Sequence, residues 1–192
     1  MTDRPAVAGA VLTGGASRRM GRDKAFVEVD GLAMVERALD ALSSAGCSPL
    51  VVVGGDEDRL RRLLAGRAEH RRADATWIAD RWPGEGPLGG IATALAHTGS
   101  PTLVIATDLP ALDTTTLSAL LAHRDDPVDV VVAGSGRLEP LCALWLASAA
   151  PVVDELFRRG ERAVHRAVAR LRSCIVDVAP AALRNVNRPD DL

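Results

Sequence analysis

Lysine, cysteine and long apolar runs are all scarce in this 192-residue chain, and these scarcities limit the classes of protein to which it can belong. Of its 23 basic residues, 22 are arginine and one is a lysine, Lys24. The three cysteines lie far apart without a Cys-x-x-Cys pair, which predicts free thiols in a reducing compartment. No apolar run approaches the roughly 20 residues of a transmembrane helix, so no membrane partner is expected.

A strong charge of either sign is also missing. The net charge is −2, and nothing in it favours binding to nucleic acid or to an anionic membrane. The first residues lack a basic segment, and the apolar run 7–12 is too short for a secretory signal, so we expect a cytoplasmic protein. The four histidines show no metal-ligand spacing and are expected at the surface or at helix ends.

The chain is rich in apolar residues, whose patterns predict strands and helices in alternation. Hydrophobic residues make up 47% of it, enough for one domain over residues 1–192. Continuous apolar runs predict strands at 6–12, 50–53, 76–79, 102–106, 128–133, 141–146 and 174–178, with a short extended piece at 26–29. Helical periodicity predicts helices at 34–45, 57–65, 88–97, 114–123, 151–159 and 163–171, and a clipped helix start at 188–192.

This alternation predicts an α/β fold with a mainly parallel sheet covered by helices on both faces. Ligands of such sheets bind beyond the carboxyl ends of the strands. Three unusual loops, at 13–24, 80–90 and 107–110, follow the first, third and fourth predicted strands. We therefore expect these loops to converge on one site.

Loop 13–24 is rich in glycine and in positive charge. Gly14, Gly15 and Gly21 allow close approach of the backbone to a ligand, and the compact ammonium of Lys24 suits a polyphosphate. The spacing matches neither the Walker A loop nor the G-x-G-x-x-G motif, which disfavours a P-loop ATPase or a dehydrogenase. An ordinary turn and a solvated surface lysine are the alternatives.

Of the other two loops, loop 80–90 leaves room for a base and loop 107–110 supplies a carboxylate. Gly86, Gly89 and Gly90 would let a base lie against the backbone, and Asp80 can accept hydrogen bonds from a base or a ribose. Asp108 ends the strand 102–106, where a carboxylate suits Mg²⁺ together with phosphate oxygens. A plain strand-to-helix connection and a turn aspartate remain the alternatives. Polar groups at 137–141, 160–162 and 185–188 could form a second, acceptor-side pocket.

Four motifs in order give the chain a family resemblance. The segments LTGGASRRMGRDK, GPLGGI, TDLP and NVNRPDDL closely resemble those of the molybdenum cofactor guanylyltransferases, in the MobA-like nucleotidyltransferase superfamily. The resemblance extends over residues 7–192. It implies a Rossmann-like three-layer α/β/α sandwich that transfers GMP from GTP to the terminal phosphate of Mo-molybdopterin, releasing pyrophosphate, with Mg²⁺ as cofactor. It also implies transient contacts with cofactor-biosynthesis proteins and with the molybdoenzymes that receive the product.

The resemblance assigns roles by motif. It places the nucleotide against Leu12, Thr13, Gly14, Gly15, Lys24, Asp80, Gly86, Pro87, Leu88 and Asp108. It gives catalytic roles to Lys24, Arg19 and Asp108, with Mg²⁺ on Asp108. It places the pterin acceptor near Arg162, Asn185 and Asn187.

The chain departs from the family pattern at three places. Thr13 stands where alanine is usual, Glu85 adds a negative charge near the base, and Glu139-Pro140 follows the broader superfamily. A cytidylyltransferase acting on the same pterin, or a sugar or phosphoacid nucleotidyltransferase, is therefore an alternative. Gly14-Gly15 and the GPLGG segment favour GTP over CTP. A non-catalytic nucleotide-binding adaptor that docks molybdenum enzymes is a second alternative, although it would have no need of Lys24 and Asp108.

Overall fold

A seven-stranded sheet is the centre of the fold. The computed structural model describes residues 6–13, 24–65 and 75–186. Its strands, in chain order, are β1 (Ala8–Leu12), β2 (Glu28–Val29), β3 (Leu32–Ala33), β4 (Leu50–Val53), β5 (Ala75–Ile78), β6 (Thr102–Ala106), β7 (Val130–Gly134), β8 (Leu138–Trp145) and β9 (Ser173–Asp177). The large sheet has the order β5-β4-β1-β6-β8-β7-β9, while β2 and β3 form a separate small hairpin.

Six α-helices lie within the described residues. They are α1 (Met34–Ser44), α2 (Glu57–Ala65), α3 (Pro87–Thr98), α4 (Thr114–Leu121), α5 (Ala149–Arg158) and α6 (Val164–Val168), with 3₁₀ turns at Lys24–Phe26 and Pro180–Leu183. Asp113 caps α4, since its carboxylate accepts a hydrogen bond of 2.8 Å from the Thr116 backbone N–H. Within the segments listed above, no helix has the length and apolar character needed to cross a membrane.

The sheet is mainly parallel, as predicted, and β8 is the exception. Strands β5, β4, β1 and β6 run parallel, with Leu12 in register with both Val53 and Ala106. Strand β8 runs antiparallel to β6 and to β7. The reason is the tight connection from β7, in which the Ser135 N–H bonds to the Arg137 carbonyl at 2.9 Å. A turn that short cannot make the crossover that a parallel neighbour needs.

The helices form a layer on each face of the sheet. One face, carrying Val11, Val52 and Ile105, packs against α1, α2 and α4. The other face, carrying Ala10, Val51 and Val104, packs against α3, α5 and α6. Successive side chains of a strand point to opposite faces of the sheet. Because helices cover both faces, the side chains on each face are buried. The three-layer α/β/α sandwich is therefore confirmed.

Most predicted elements are present, with shifts at their ends. Strand β8 begins at Leu138, three residues before the predicted 141, because Leu138 and Glu139 continue the ladder with Gly134 and Ala133. Helix α6 stops at Val168 instead of 171, since the Arg170 and Leu171 N–H groups bond three residues back and tighten the chain out of the α-helix. The predicted helix start at 188–192 lies outside the described residues.

Candidate functional site

The described parts of the three predicted loops lie at one edge of the sheet. Because β1, β4, β5 and β6 are parallel and in register, their carboxyl ends lie side by side. Strand β8 is antiparallel to β6, so its first residues reach the same edge. The carboxyl edge therefore presents Thr13, the loop after β5, Asp108 and the start of β8. Residues 14–23 of the first loop, including Gly14, Gly15 and Arg19, lie outside the described residues, as does Asn187.

Lys24 and Asp108 meet at this edge. Their Nζ and Oδ2 atoms are 3.5 Å apart, and the two side chains keep 20% and 24% of their surface exposed. Lys24 begins the 3₁₀ turn that follows the first loop, and Asp108 follows β6. An ammonium and a carboxylate that stay accessible can exchange this pair for contacts with an incoming phosphate and cation.

The backbone around Asp108 is held from two sides. The Val186 N–H donates to the Asp108 carbonyl at 2.9 Å. The Arg37 guanidinium donates from Nε and Nη2 to the Pro110 carbonyl at 3.2 and 3.1 Å. Leu109 anchors the segment because it is buried in the core under α1 and α4. These contacts position the Asp108 carboxylate on a fixed support.

Glu139 lies near Asp108 because β8 runs antiparallel to β6, which brings the first residues of β8 to the same edge. Burial raises the pKa of the Glu139 carboxyl above its ordinary value, and the charge of Asp108 raises it further. The Asn185 side-chain N–H donates a long hydrogen bond of 3.5 Å to Glu139 Oε2. The motif assignment missed Glu139. The signal was present in the sequence, since a tight turn before β8 places its first residues beside the end of β6.

These side chains form an oxygen-rich group that fits Mg²⁺. The carboxylates of Asp108 and Glu139 are hard donors of the kind that Mg²⁺ prefers. Asn185 Oδ1 is buried and has no hydrogen-bond partner within the described residues, so it is an acceptor left for a cation or a bound ligand. The donor set therefore fits the metal that the family resemblance implies.

Thr13 fastens the first loop to the end of β4. Its hydroxyl lies 3.0 Å from the Val53 carbonyl and 2.8 Å from the Gly54 carbonyl, and its backbone N–H also bonds to Val53. A Cβ on Gly55 would come within 2.6 Å of the Thr13 hydroxyl, so a glycine is needed there. Threonine in place of the family's alanine thus adds a tether between the strands.

The Gly-Pro loop, residues 80–87, is braced internally. Asp80 Oδ1 accepts a 3.0 Å hydrogen bond from the Trp82 N–H and lies 3.2 Å from the Thr93 hydroxyl. Gly86 has a φ of +94°, a conformation that favours glycine, and Pro87 is the first residue of α3. Leu88 is completely buried, so it supports the loop from the core. Because Oδ1 of Asp80 is occupied by the Trp82 and Thr93 contacts, this carboxylate serves in part to shape the loop.

Arg162 contacts this same loop. Its Nε donates to Glu85 Oε2 at 2.7 Å, and its Nη1 donates to the carbonyls of Phe157 and Glu161 at 2.8 and 3.0 Å. Its guanidinium lies 4.0 Å above the Phe157 ring, whose centroid is 4.5 Å from that of Trp82. The two described residues of the predicted acceptor set thus have different neighbours: Arg162 lies against the Gly-Pro loop, and Asn185 lies beside Glu139.

Known proteins resemble this chain over nearly its whole length. The chain matches the family model described as the MobA-like NTP transferase domain over residues 9–178. A probable molybdenum cofactor guanylyltransferase of Opitutus terrae is 36% identical, covering 97% of this chain and 93% of the relative. The molybdenum cofactor guanylyltransferase of Rhodobacter capsulatus is 32% identical at the same coverages, 97% and 93%. The crystal structure of molybdopterin-guanine dinucleotide biosynthesis protein A from Archaeoglobus fulgidus has a TM-score of 0.78 at 28% identity, covering 96% of this chain and 94% of the other.

Proposed function

This chain belongs to the MobA-like NTP transferase family, and from that membership we propose that it transfers GMP from GTP to the terminal phosphate of Mo-molybdopterin. The products are molybdopterin guanine dinucleotide and pyrophosphate. The observation that supports this most directly is the meeting of Lys24 and Asp108 at the carboxyl edge, 3.5 Å apart and both accessible. Relatives named molybdenum cofactor guanylyltransferase, similar over nearly the full chain, support the choice of donor and acceptor.

The reaction is a displacement at the α-phosphorus of the nucleotide. A terminal phosphate oxygen of the acceptor forms the new P–O bond while the bond to the β-phosphate oxygen breaks, and the pair of electrons leaves with pyrophosphate. The attacking oxygen is already ionised, so no strong general base is required. Positioning and neutralisation of charge therefore account for most of the catalysis.

Lys24 supplies a mobile positive charge to the phosphates. Its ammonium rests against Asp108 in the ligand-free arrangement. On nucleotide binding we expect it to turn to the phosphate oxygens, where it offsets the charge that develops on the transferred group and on pyrophosphate. Arg19 is proposed to assist from the loop that contains Gly14 and Gly15.

Asp108, with Glu139 and Asn185 beside it, would hold Mg²⁺. The metal, when bound, neutralises phosphate oxygens as a Lewis acid. Asp108 serves as the anchoring carboxylate because its backbone is fixed by Val186 and by the Arg37–Pro110 contact. Glu139 and Asn185 would complete the oxygen-rich group beside it.

The two substrates are proposed to lie on either side of these residues. Leu12, at the end of β1, and Thr13 after it would lie under the nucleotide. The Gly-Pro loop, with Asp80, Gly86 and Pro87 and with Leu88 packed beneath it, would read the guanine. Arg162, Asn185 and Asn187 would contact the pterin phosphate side. Arg162 contacts Glu85 of the Gly-Pro loop, so it would border the nucleotide side as well.

The proposal is tested by measuring pyrophosphate release from GTP with Mo-molybdopterin as acceptor and Mg²⁺ varied. We expect release to need all three, and Asp108→Asn to lose both activity and its response to Mg²⁺ while staying folded. Asp113→Asn is the matched control, because Asp113 is five residues away and only caps α4. Normal activity and a normal Mg²⁺ response in Asp108→Asn would contradict the assignment, and efficient release from CTP would move the enzyme to the cytidylyltransferases.

A further inference from the structure

A second group of metal-ligating side chains lies at the opposite edge of the sheet. Helix α4 leads away from the carboxyl edge, and the turn after it carries His123 and Asp126 to the start of β7. Cys174 is near the start of β9, in register with Val131 of β7. The fold thus joins residues about 50 positions apart, which explains why no metal-ligand spacing is visible in the sequence.

The three side chains are close enough to share one ion. His123 Nδ1 lies 2.8 Å from Asp126 Oδ2, and one ligand atom from each of the three residues lies within 4.8 Å of the others. The side chains of His123 and Asp126 are 37% and 44% exposed, so an ion from solvent can reach them. Tetrahedral zinc with bonds of about 2.0–2.3 Å holds its ligand atoms roughly 3.5 Å apart. Rotation of the side chains can supply this spacing, by opening the His123–Asp126 contact and closing any wider separation.

Cys174 is the chemically accessible thiol of the chain. Burial raises the pKa of Cys47 to about 12, and burial together with the charge of Glu139 raises the pKa of Cys142 to about 12. Cys47 and Cys142 are both in the core, whereas Cys174 is only half-buried on an edge strand. Metals bind the thiolate, so of these three cysteines only Cys174 is placed to act as a ligand.

We propose that His123, Asp126 and Cys174 bind a borderline-soft divalent cation such as Zn²⁺, with water in the fourth position. A neutral imidazole, a carboxylate and a thiolate together neutralise the two charges of the ion. The ion replaces the hydrogen bond between His123 and Asp126, and the Cys174 thiol releases its proton to solvent. The bound ion would tie the edge strand β9 to the turn between α4 and β7. This proposal does not rest on the proposed function.

Titration of the purified protein with Co²⁺ tests the site, because cobalt bound to a thiolate gives a charge-transfer absorption in the near ultraviolet. We expect this band to saturate at a single equivalent and to disappear in Cys174→Ser. It should weaken strongly in His123→Gln and in Asp126→Asn. In Cys47→Ala the band should remain, and in Asp108→Asn as well, since the carboxyl edge offers no exposed thiol.

Thermal unfolding gives an independent measurement. Zn²⁺ should raise the melting temperature of the wild type and of Cys47→Ala, but not that of Cys174→Ser or His123→Gln. The proposal is overturned if Co²⁺ produces no thiolate band, if the band survives in Cys174→Ser, or if His123→Gln and Asp126→Asn leave it unchanged. Any of these results would leave the His123–Asp126 contact as a hydrogen bond at the end of α4.

Discussion

Lys24 and Asp108 form an ion pair whose members also have separate proposed tasks. In the free protein each neutralises the other, so neither is left as an isolated charge at the edge of a low-dielectric core. The two side chains keep only 20% and 24% of their surface exposed, and the cost of removing them from water offsets much of the attraction between them. A negatively charged polyphosphate with its cation can therefore replace it at small cost.

The unique lysine provides the first prediction at this scale. Lys24→Ala should lower turnover by at least roughly 10²-fold, the size expected for loss of one preorganised charge donor. Lys24→Arg should also be impaired, because the guanidinium is larger and directs its hydrogen bonds as a planar fork. Steady-state kinetics with GTP checks both variants. Unchanged turnover in Lys24→Ala would remove this residue from the mechanism.

Replacement of Glu139 by glutamine should affect stability and activity in opposite directions. A carboxyl whose pKa is raised by folding holds its proton more tightly when folded, so its contribution to stability falls as the pH rises through the unfolded and then the folded pKa. Above the folded pKa that contribution is lost, and there Glu139→Gln, which carries no charge, should be at least as stable as the wild type.

The same variant should lose roughly 10- to 100-fold in activity or in Mg²⁺ affinity, as expected for a partner of a metal ligand. Urea unfolding at several pH values and a Mg²⁺ titration of turnover separate the two effects. The stability gain of the variant should shrink as the pH is lowered. A variant that is much less stable at neutral pH yet fully active would show that Glu139 has only a structural role.

At the scale of elements, the Gly-Pro loop and the end of α5 are held together by one arginine. Glu85 and Arg162 pair on the surface, with 51% and 40% of their side chains exposed. Arg162 also stacks on Phe157 and bonds to two carbonyls. The stack continues to Trp82, over which Arg81 lies at 4.3 Å. The loop is therefore fastened chiefly through the arginine and the rings, and only weakly through Glu85.

This difference gives a prediction about two variants of one contact. Glu85→Gln should lower the free energy of unfolding by less than about 1 kcal/mol, as for other exposed pairs. Arg162→Ala should cost more, about 1.5–3 kcal/mol, because it also removes hydrogen bonds from a charged donor and the cation–π contact. Chemical denaturation of both proteins measures this. Equal losses would mean that the ion pair alone fastens the loop.

The elements also show what sequence patterns can and cannot establish. Continuous apolar runs located β4 and β6 to the residue, since a strand buried on both faces has a nearly uniform apolar composition. The start of β8 was missed because Leu138 and Glu139 sit on a part of the ladder that is exposed or half-buried. Asp108 was predicted as a site residue from its motif and from its place after β6, and its role stays a prediction. That Arg162 contacts Glu85 was not predictable, because it depends on how α5 packs against α3 on one face of the sheet.

At the scale of the whole molecule, the two edges of the sheet carry different chemistry. The carboxyl edge gathers Lys24, Asp108, Glu139 and the Gly-Pro loop, because four parallel strands end there and β8 begins there. The amino ends of β7 and β9 gather His123, Asp126 and Cys174. Hard oxygen ligands at one edge and a mixed nitrogen, sulfur and oxygen set at the other favour different cations. Mg²⁺ and Zn²⁺ should therefore act on the protein independently.

Direct titration of the protein with GTP, CTP, UTP and ATP in the presence of Mg²⁺, beside Asp108→Asn, tests the central claim most directly. The account predicts a clear preference for GTP that weakens in the variant. A preference for CTP would contradict the guanylyl assignment and place the protein with the cytidylyltransferases. Failure of all four nucleotides to bind would contradict the transferase itself and favour a non-catalytic adaptor.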